Sequence, residues 1–212
     1  MQLKRVVVTG LGALTPIGKD LNGFWDGLTK GVSGAGPITR FDPEKFKTKF
    51  ACEIKDYDPN DYFDRKEARK MDHFTQYAMI TAEEAMKDSG LDLETIDRNR
   101  AGVIWGSGIG GLRTFQEEVA SFAQGDGTPR FNPFFIPKMI ADISAGMISI
   151  KYGFHGPNFV TVSACASATN AMIDAMTYIK LGKANVMITG GSEASVSEAG
   201  MGGFNAMKAL SE

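Results

Sequence analysis

The sequence predicts a mostly parallel α/β fold, and three observations predict it. Short β-branched runs recur at residues 5–8, 103–105, 159–162 and 186–188. Longer stretches whose apolar residues repeat at helical spacing lie between them. Glycine-containing turns close most of the runs. Strands that alternate with helices are joined by crossovers, which make neighbouring strands parallel and lay helices on both faces of the sheet.

Taken in order, residues 5–8 (RVVV) read as a buried strand ended by Thr9-Gly10-Leu11-Gly12. Asp20 precedes a short helix carrying Phe24, Trp25 and Leu28, closed by Gly31. Residues 31–64 are rich in Gly, Pro, Asp and Lys and read as irregular, with one short extended piece at 50–54. Asp72 is the expected N-cap of a longer helix with Phe74, Ala78, Thr81, Ala82, Ala85 and Met86 on one face and Gly90 at its end. Residues 103–105 form the next strand, 114–123 a helix, 125–137 a loop with three prolines, and 138–150 another helix. A strand at 159–162 runs directly into Cys165. A helix then starts at Ser167, with Ala168, Met172, Ala175, Met176 and Ile179 on its apolar stripe and Gly182 at its end. Residues 186–188 are the last strand, and the Gly-, Ser- and Met-rich stretch after it reads as irregular.

Composition bounds the function. The chain has 212 residues, enough for a sizeable core in one large domain or two small ones. A net charge of -2 removes the strongly basic balance of a typical nucleic-acid binder, so any basic surface is local. Two cysteines, Cys52 and Cys165, make no disulfide framework. The apolar run at the start is too short for a secretory signal, and no stretch reaches the ~18 apolar residues of a membrane span, so a cytoplasmic protein is expected. The last residues have no obvious closing element, which suggests a piece of a longer chain. Residues 8–12 (VTGLG) superficially match a dinucleotide fingerprint, but Thr15 stands where the third glycine belongs and no acidic ribose partner is evident. Those glycines are expected to serve tight strand–helix packing instead. No metal-ligand cluster is visible, and no cofactor is expected.

The most informative segment is residues 160–170 (VTVSACASATN). A cysteine between a strand and a helix lies where unpaired amides and the helix dipole favour negative charge, which activates a thiol as a nucleophile. Small neighbours, Ser163, Ala164, Ala166, Ser167 and Ala168, leave room for a carbonyl over the sulfur. The backbone N–H of Cys165 could then donate to an oxyanion. Spacing alone leaves the other reading open, since a free cysteine often behaves as a small buried hydrophobe.

This segment resembles the active-site motif of β-ketoacyl-[acyl-carrier-protein] synthases. So do residues 5–12 (RVVVTGLG), 15–18 (TPIG), 65–72 (RKEARKMD), 106–112 (GSGIGGL), 133–137 (PFFIP), 152–157 (YGFHGP) and 190–193 (GGSE), in the same order and spacing. The resemblance covers essentially the whole chain and is closest to the elongating branch, synthase II.

It implies a thiolase-like fold, an αβαβα sandwich of two related halves, of which residues 1–212 would be the N-terminal domain. It implies acyl transfer from acyl-carrier protein to Cys165, followed by decarboxylative Claisen condensation with malonyl-carrier protein. The family's histidine pair, lysine and gating loop lie in the other half. His73 and His155 match neither histidine and are expected to be structural or at the surface. The resemblance further implies an acyl pocket lined by Ile109 and Phe204 and reached by Phe135 from across the dimer, each of which could equally be core packing. It implies carrier docking on Lys66, Arg69 and Lys70, with Arg130 and Lys208 as additions, where a solvated charged face is the alternative. It also implies a homodimer paired along strand 159–162. A non-catalytic relative that only shapes an acyl pocket, like a chain-length factor, is the second functional reading; such subunits usually replace the cysteine.

Overall fold

The computed structural model describes residues 3–211. Along the chain run α1 (Leu21–Thr29), β1 (Gly36–Pro37), β2 (Phe50–Ala51), α2 (Arg65–Ala68), α3 (His73–Ser89) and β3 (Ala101–Gly106). They are followed by α4 (Leu112–Gln124), α5 (Phe135–Met139), α6 (Ile143–Tyr152), β4 (Asn158–Thr161), α7 (Ser167–Lys180), β5 (Val186–Gly191) and α8 (Glu198–Ala206). Two compact units share the chain: Met1–Gly12, His73–Gly110 and Ile140–Glu193 make the first, and Ala13–Asp72, Gly111–Met139 and Ala194–Glu212 the second.

The first unit is built on a parallel sheet of order β4-β3-β5. The central strand β3 is buried along its whole length, which is why its sequence reads as an apolar run with no polar alternation. Ile104 packs with Ala171 and Ala175 of α7, flanked by Phe159, Tyr178 and Met187. The register aligns Gly106 with Thr161 on one side and with Gly191 on the other, so all three strands end together. Helix α6 also packs on β3 and β4, and Gly153, with φ +64, ends it.

Helix α3 starts and stops as expected, with Gly90 at φ +61. It is buried more widely than one face, since Thr75, Gln76 and Tyr77 join Phe74 and Ala78 in the interior. The glycines of the N-terminal stretch do serve close packing. A Cβ on Gly10 or Gly12 would lie 2.1 Å from the carbonyl oxygen of Ala85 or Thr81 of α3.

Four expectations need correction. Residues 5–8 form no strand; Val7 and Val8 are 64% and 79% exposed. The segment is tethered beyond its ends, by the Lys4 amide donating to the Lys180 carbonyl and the Leu11 amide donating to the Asp88 carboxylate. β-branched residues favour extended backbone, but a strand also needs a paired neighbour. The loop at 125–137 and the helix at 138–150 become α5 and α6, separated at residues 140–142. Pro137 is tolerated inside α5 because amides of a first turn lack an intrahelical acceptor anyway. The buried face of α7 is Ser167, Ala171 and Ala175, while Met172 and Met176 are exposed. The helix is apolar over a wider arc than the sheet covers. Finally, the stretch after residue 191 contains α8, capped by Ser197, whose side chain accepts from the Gly200 amide.

The second unit carries α1, whose Asp20 side chain accepts from the Gly23 amide at 2.7 Å, and Gly31 follows it at φ +65. The buried Asp72 carboxylate accepts from both the amide and the hydroxyl of Thr114, tying its segment to the first turn of α4. No helix among the described residues is long and apolar enough to cross a membrane.

Candidate active site at the carboxyl end of the parallel sheet

In a parallel sheet every strand delivers its carboxyl end to the same edge, and that edge is where ligands commonly bind. Here β4 delivers Cys165, β3 delivers Ile109 and β5 delivers Glu193.

Cys165 lies in a single 3₁₀ turn, Ala164–Ala166, between β4 and α7. It is exposed and free of disulfide. The residue before it, Ala164, has φ +50. That left-handed conformation costs a side-chain-bearing residue about 1–3 kcal/mol and persists only where the surroundings over-determine it. The surroundings do so through a serine. Ser167, only 4% exposed, donates its hydroxyl to the Ala164 carbonyl at 2.7 Å and accepts from the Ser163 amide at 2.9 Å. The Asn170 side chain donates to the Ser163 hydroxyl at 2.6 Å, and the Thr161 hydroxyl donates to the Ser167 carbonyl at 2.7 Å. The cysteine is therefore presented by a fixed elbow.

The 14-residue helix α7 begins directly behind it, and no side chain caps its start. The positive end of that helix lies at the Cys165 turn, where it favours negative charge that develops on an attacked carbonyl. Close approach of α7 to the sheet depends on Gly106. A Cβ there would lie 2.4–2.6 Å from backbone atoms of Ser167 and Ala168.

The other sequence-predicted residues are distributed over both units. Ile109 is 45% exposed on the turn after β3. In the second unit, Phe135 stacks between Phe131 and Phe115, with ring centroids 5.5 and 6.4 Å away, and Phe204 lies on α8, 36% exposed.

Lys66 lies on α2, Arg69 caps it, and Lys70 follows, all exposed. Asp64 starts this short helix by accepting from the Lys66 and Glu67 amides, which holds its carboxyl below the usual range. Lys70 reaches over the Phe134 ring at 5.8 Å. Arg130 faces Asp126 at 3.8 Å, and Lys208 follows α8 with φ +56. His73 stacks on Tyr77 at the start of α3, while His155 is exposed and donates its amide to the Arg98 carbonyl. Among the described residues no cluster of three or more His, Cys, Asp or Glu could hold a metal ion.

In the sequence Ser163 and Ser167 stand out only as small residues. Their hydrogen bonds, and that of Asn170, are what the fold adds. The local signal was Asn170 two turns beyond Ser163 on one side of a serine-containing turn.

Comparison with known proteins places this geometry. The model of the β-ketoacyl synthase N-terminal domain matches residues 3–212. A 3-oxoacyl-[acyl-carrier-protein] synthase 2 of Staphylococcus aureus (strain COL) is 47% identical over 211 residues, covering 99% of this chain and 50% of the relative. The chain thus spans about half the length of the curated relatives it matches. Among solved structures, the ishigamide ketosynthase/chain length factor superposes with a TM-score of 0.89 at 27% identity, covering 99% of this chain and 52% of that one. A type II polyketide ketosynthase in complex with its acyl-carrier protein gives 0.82 at 26% identity, covering 97% and 55%. The family match over nearly every residue and the superpositions agree: the chain belongs to the β-ketoacyl synthase N-terminal domain family and has the α/β, thiolase-like fold of the N-terminal half of a ketosynthase.

Proposed function

We propose that this chain is the nucleophile-bearing half of a 3-oxoacyl-[acyl-carrier-protein] synthase, with Cys165 as the nucleophile. The observation that carries the reading is the elbow: a free, exposed cysteine after a left-handed Ala164, at the head of an uncapped helix.

In the first step the Cys165 thiolate attacks the carbonyl of an acyl-carrier thioester. The backbone N–H of Cys165 is the local donor to the resulting oxyanion. The tetrahedral intermediate collapses with departure of the carrier thiolate, leaving the acyl group on sulfur. In the second, malonyl-carrier protein loses CO2 and the resulting carbanion attacks the acyl-cysteine. Cys165 leaves as thiolate, and the product is a β-ketoacyl chain two carbons longer. A thiolate suits both steps because it attacks and leaves well.

We do not assign decarboxylation to His73, which stacks on Tyr77, or to His155, which is exposed in the turn after α6. We therefore assign acyl transfer to this chain and decarboxylation to segments of a full-length synthase beyond it. On the same reading Ile109, Phe204 and, from across the dimer, Phe135 are each assigned to contact the acyl chain, residue by residue from the resemblance. Lys66, Arg69, Lys70, Arg130 and Lys208 form the face for an acidic carrier, two copies pair along residues 159–162, and the enzyme works in the cytoplasm. The relative solved with its carrier protein supports the partner class.

The test is intact mass and peptide mapping after incubation with acyl-carrier protein. An acyl adduct on Cys165, absent from Cys52 and lost in Cys165→Ala, is the expected result, with no CO2 released from malonyl-carrier protein. A folded chain that takes no acyl group while a full-length synthase carrying the same Cys165→Ala change still condenses would overturn the assignment.

A further inference from the structure

The turn after β3 is held from behind by a carboxylate that the proposed chemistry does not use. The Gly108 and Ile109 amides both donate to one oxygen, Oε2 of Glu193, at 2.9 and 3.0 Å. The neighbouring amides have other acceptors: Ser107 donates to the Thr161 carbonyl at 3.3 Å and Gly110 to the Ser107 hydroxyl at 3.1 Å. Two successive amides converging on one anionic oxygen form a strong, directional anchor.

The anchor itself is fixed. Glu193 follows β5, where the Ser192 amide donates to the Gly106 carbonyl at 3.0 Å and the Trp105 indole N–H donates to the Ser192 hydroxyl at 2.9 Å. The same turn also lies beside the cysteine elbow. A Cβ on Gly108 would stand 3.0 Å from Glu193 Oε2 and 3.6 Å from the Ala164 carbonyl oxygen. The turn is thus anchored on the Glu193 carboxylate and lies next to Ala164, the residue preceding Cys165.

We infer that Glu193 is a positioning residue that sets where Ile109 stands relative to Cys165, and so governs how long a chain the sulfur accepts. This deepens the nucleophile assignment above and rests on it. Without the carboxylate the Gly108 and Ile109 amides turn to water, and Ile109 loses its fixed direction. The sulfur itself stays in place, because its elbow is held by Ser167 and Asn170.

The probe is a series of N-alkylmaleimides, from methyl to octyl, whose rate of reaction is read at the Cys165 peptide by mass spectrometry in the 212-residue chain. The ratio of octyl to methyl rates, corrected by the same ratio for free N-acetylcysteine, reports the space over the sulfur. In Glu193→Ala this ratio is expected to change about tenfold while the methyl rate stays within about twofold. Glu193→Gln keeps an acceptor oxygen without the charge and should change the ratio by about threefold. Unfolding would flatten the corrected ratio and move the methyl rate as well, so the ratio is read on a variant whose circular dichroism and methyl rate match those of the unmutated chain. Should the alanine variant fail to fold, the glutamine variant decides.

A ratio unchanged within about twofold in a folded variant, or one that is already flat in the unmutated chain, overturns the inference. Failure of the nucleophile reading looks different, as absence of the acyl adduct from carrier thioester whatever the maleimide profile.

Discussion

Replacing Gly106 by alanine tests whether the sheet edge and the cysteine elbow are one rigid piece. The added Cβ would lie 2.4 Å from the Ser167 carbonyl carbon, 2.5 Å from the Ala168 nitrogen and 2.6 Å from the Ser167 oxygen. All three are backbone atoms of the first turn of α7, so no side-chain rotation relieves the clash. Restoring an ordinary contact moves β3 and α7 apart by about 1 Å, a change that close-packed interiors resist. Overpacking of this kind costs ~1–3 kcal/mol, against which alanine recovers only ~0.5–1 kcal/mol of backbone entropy lost by glycine. A net loss of about 1–2 kcal/mol follows, or a urea midpoint lower by ~0.5–1 M at a slope of about 2 kcal/mol per M. The displacement falls on Ser167, whose hydroxyl fixes both Ser163 and Ala164. Acylation of Cys165 should therefore slow as well, by up to about a hundredfold for a misplacement near 1 Å. Gly203→Ala is the matched control. Nothing lies within 4 Å of its added Cβ, and Gly203 is inside α8, so a gain of about 0.5–1 kcal/mol is expected. Equal midpoints for Gly106→Ala and the unmutated chain, with unchanged Cys165 reactivity, would refute the coupling of sheet to elbow.

Two further outcomes test the interior. Thr75 is fully buried on α3, and its hydroxyl has no hydrogen-bond partner among the described residues; Thr75→Val should be neutral or stabilise by up to about 1 kcal/mol, and a fall in melting temperature would show that the hydroxyl does have a role. Tyr152 has its hydroxyl pushed up to about 12, first by burial and then by the Glu83 carboxylate. The folded state therefore keeps a proton that the unfolded chain releases near pH 10, so this contribution is complete below pH 10 and is lost as pH rises through 12. Absorbance titration should show one of the five tyrosines ionising late. Tyr152→Phe should remove that step and flatten the stability loss above pH 10; identical alkaline profiles would count against it.

What was legible in the sequence was written locally. Asp20 and Gly31 bracket α1, Gly90 and Gly182 end α3 and α7, and the apolar run of β3 announces a strand buried on both faces. Residues 5–8 misled because a β-branched run reports the backbone preference of a segment and says nothing about a partner strand. Helix α8 was hidden because Gly200, Gly202 and Gly203 depress helix propensity inside it, although Ser197 followed by Glu198 is a fair N-terminal signal. The stripe on α7 failed differently. Met172 and Met176 have helical spacing, yet the sheet meets the side of the helix that carries Ala171 and Ala175, where small residues let it approach.

The site divides along the same line. Cys165 stood out because its elbow is assembled within one short segment, from Thr161 to Asn170. Glu193 did not, because its partners Gly108 and Ile109 lie 85 and 84 residues earlier. The parallel sheet closes that separation: register pairs Gly106 with Gly191 as it pairs Gly106 with Thr161. Three turns distant in sequence therefore emerge side by side at one edge. Of the residues that meet there, the one with local chemistry was visible and the one whose role is purely geometric was not. A positioning residue of this kind carries no signature of its own, because a glutamate after a strand is ordinary until the strand beside it is known. It follows that the motifs GSGIGGL and GGSE, which read as separate glycine-rich turns, are two sides of a single contact. Their spacing along the chain is the length of the crossovers, through α4, α5 and α6 and then through α7, that lie between β3 and β5.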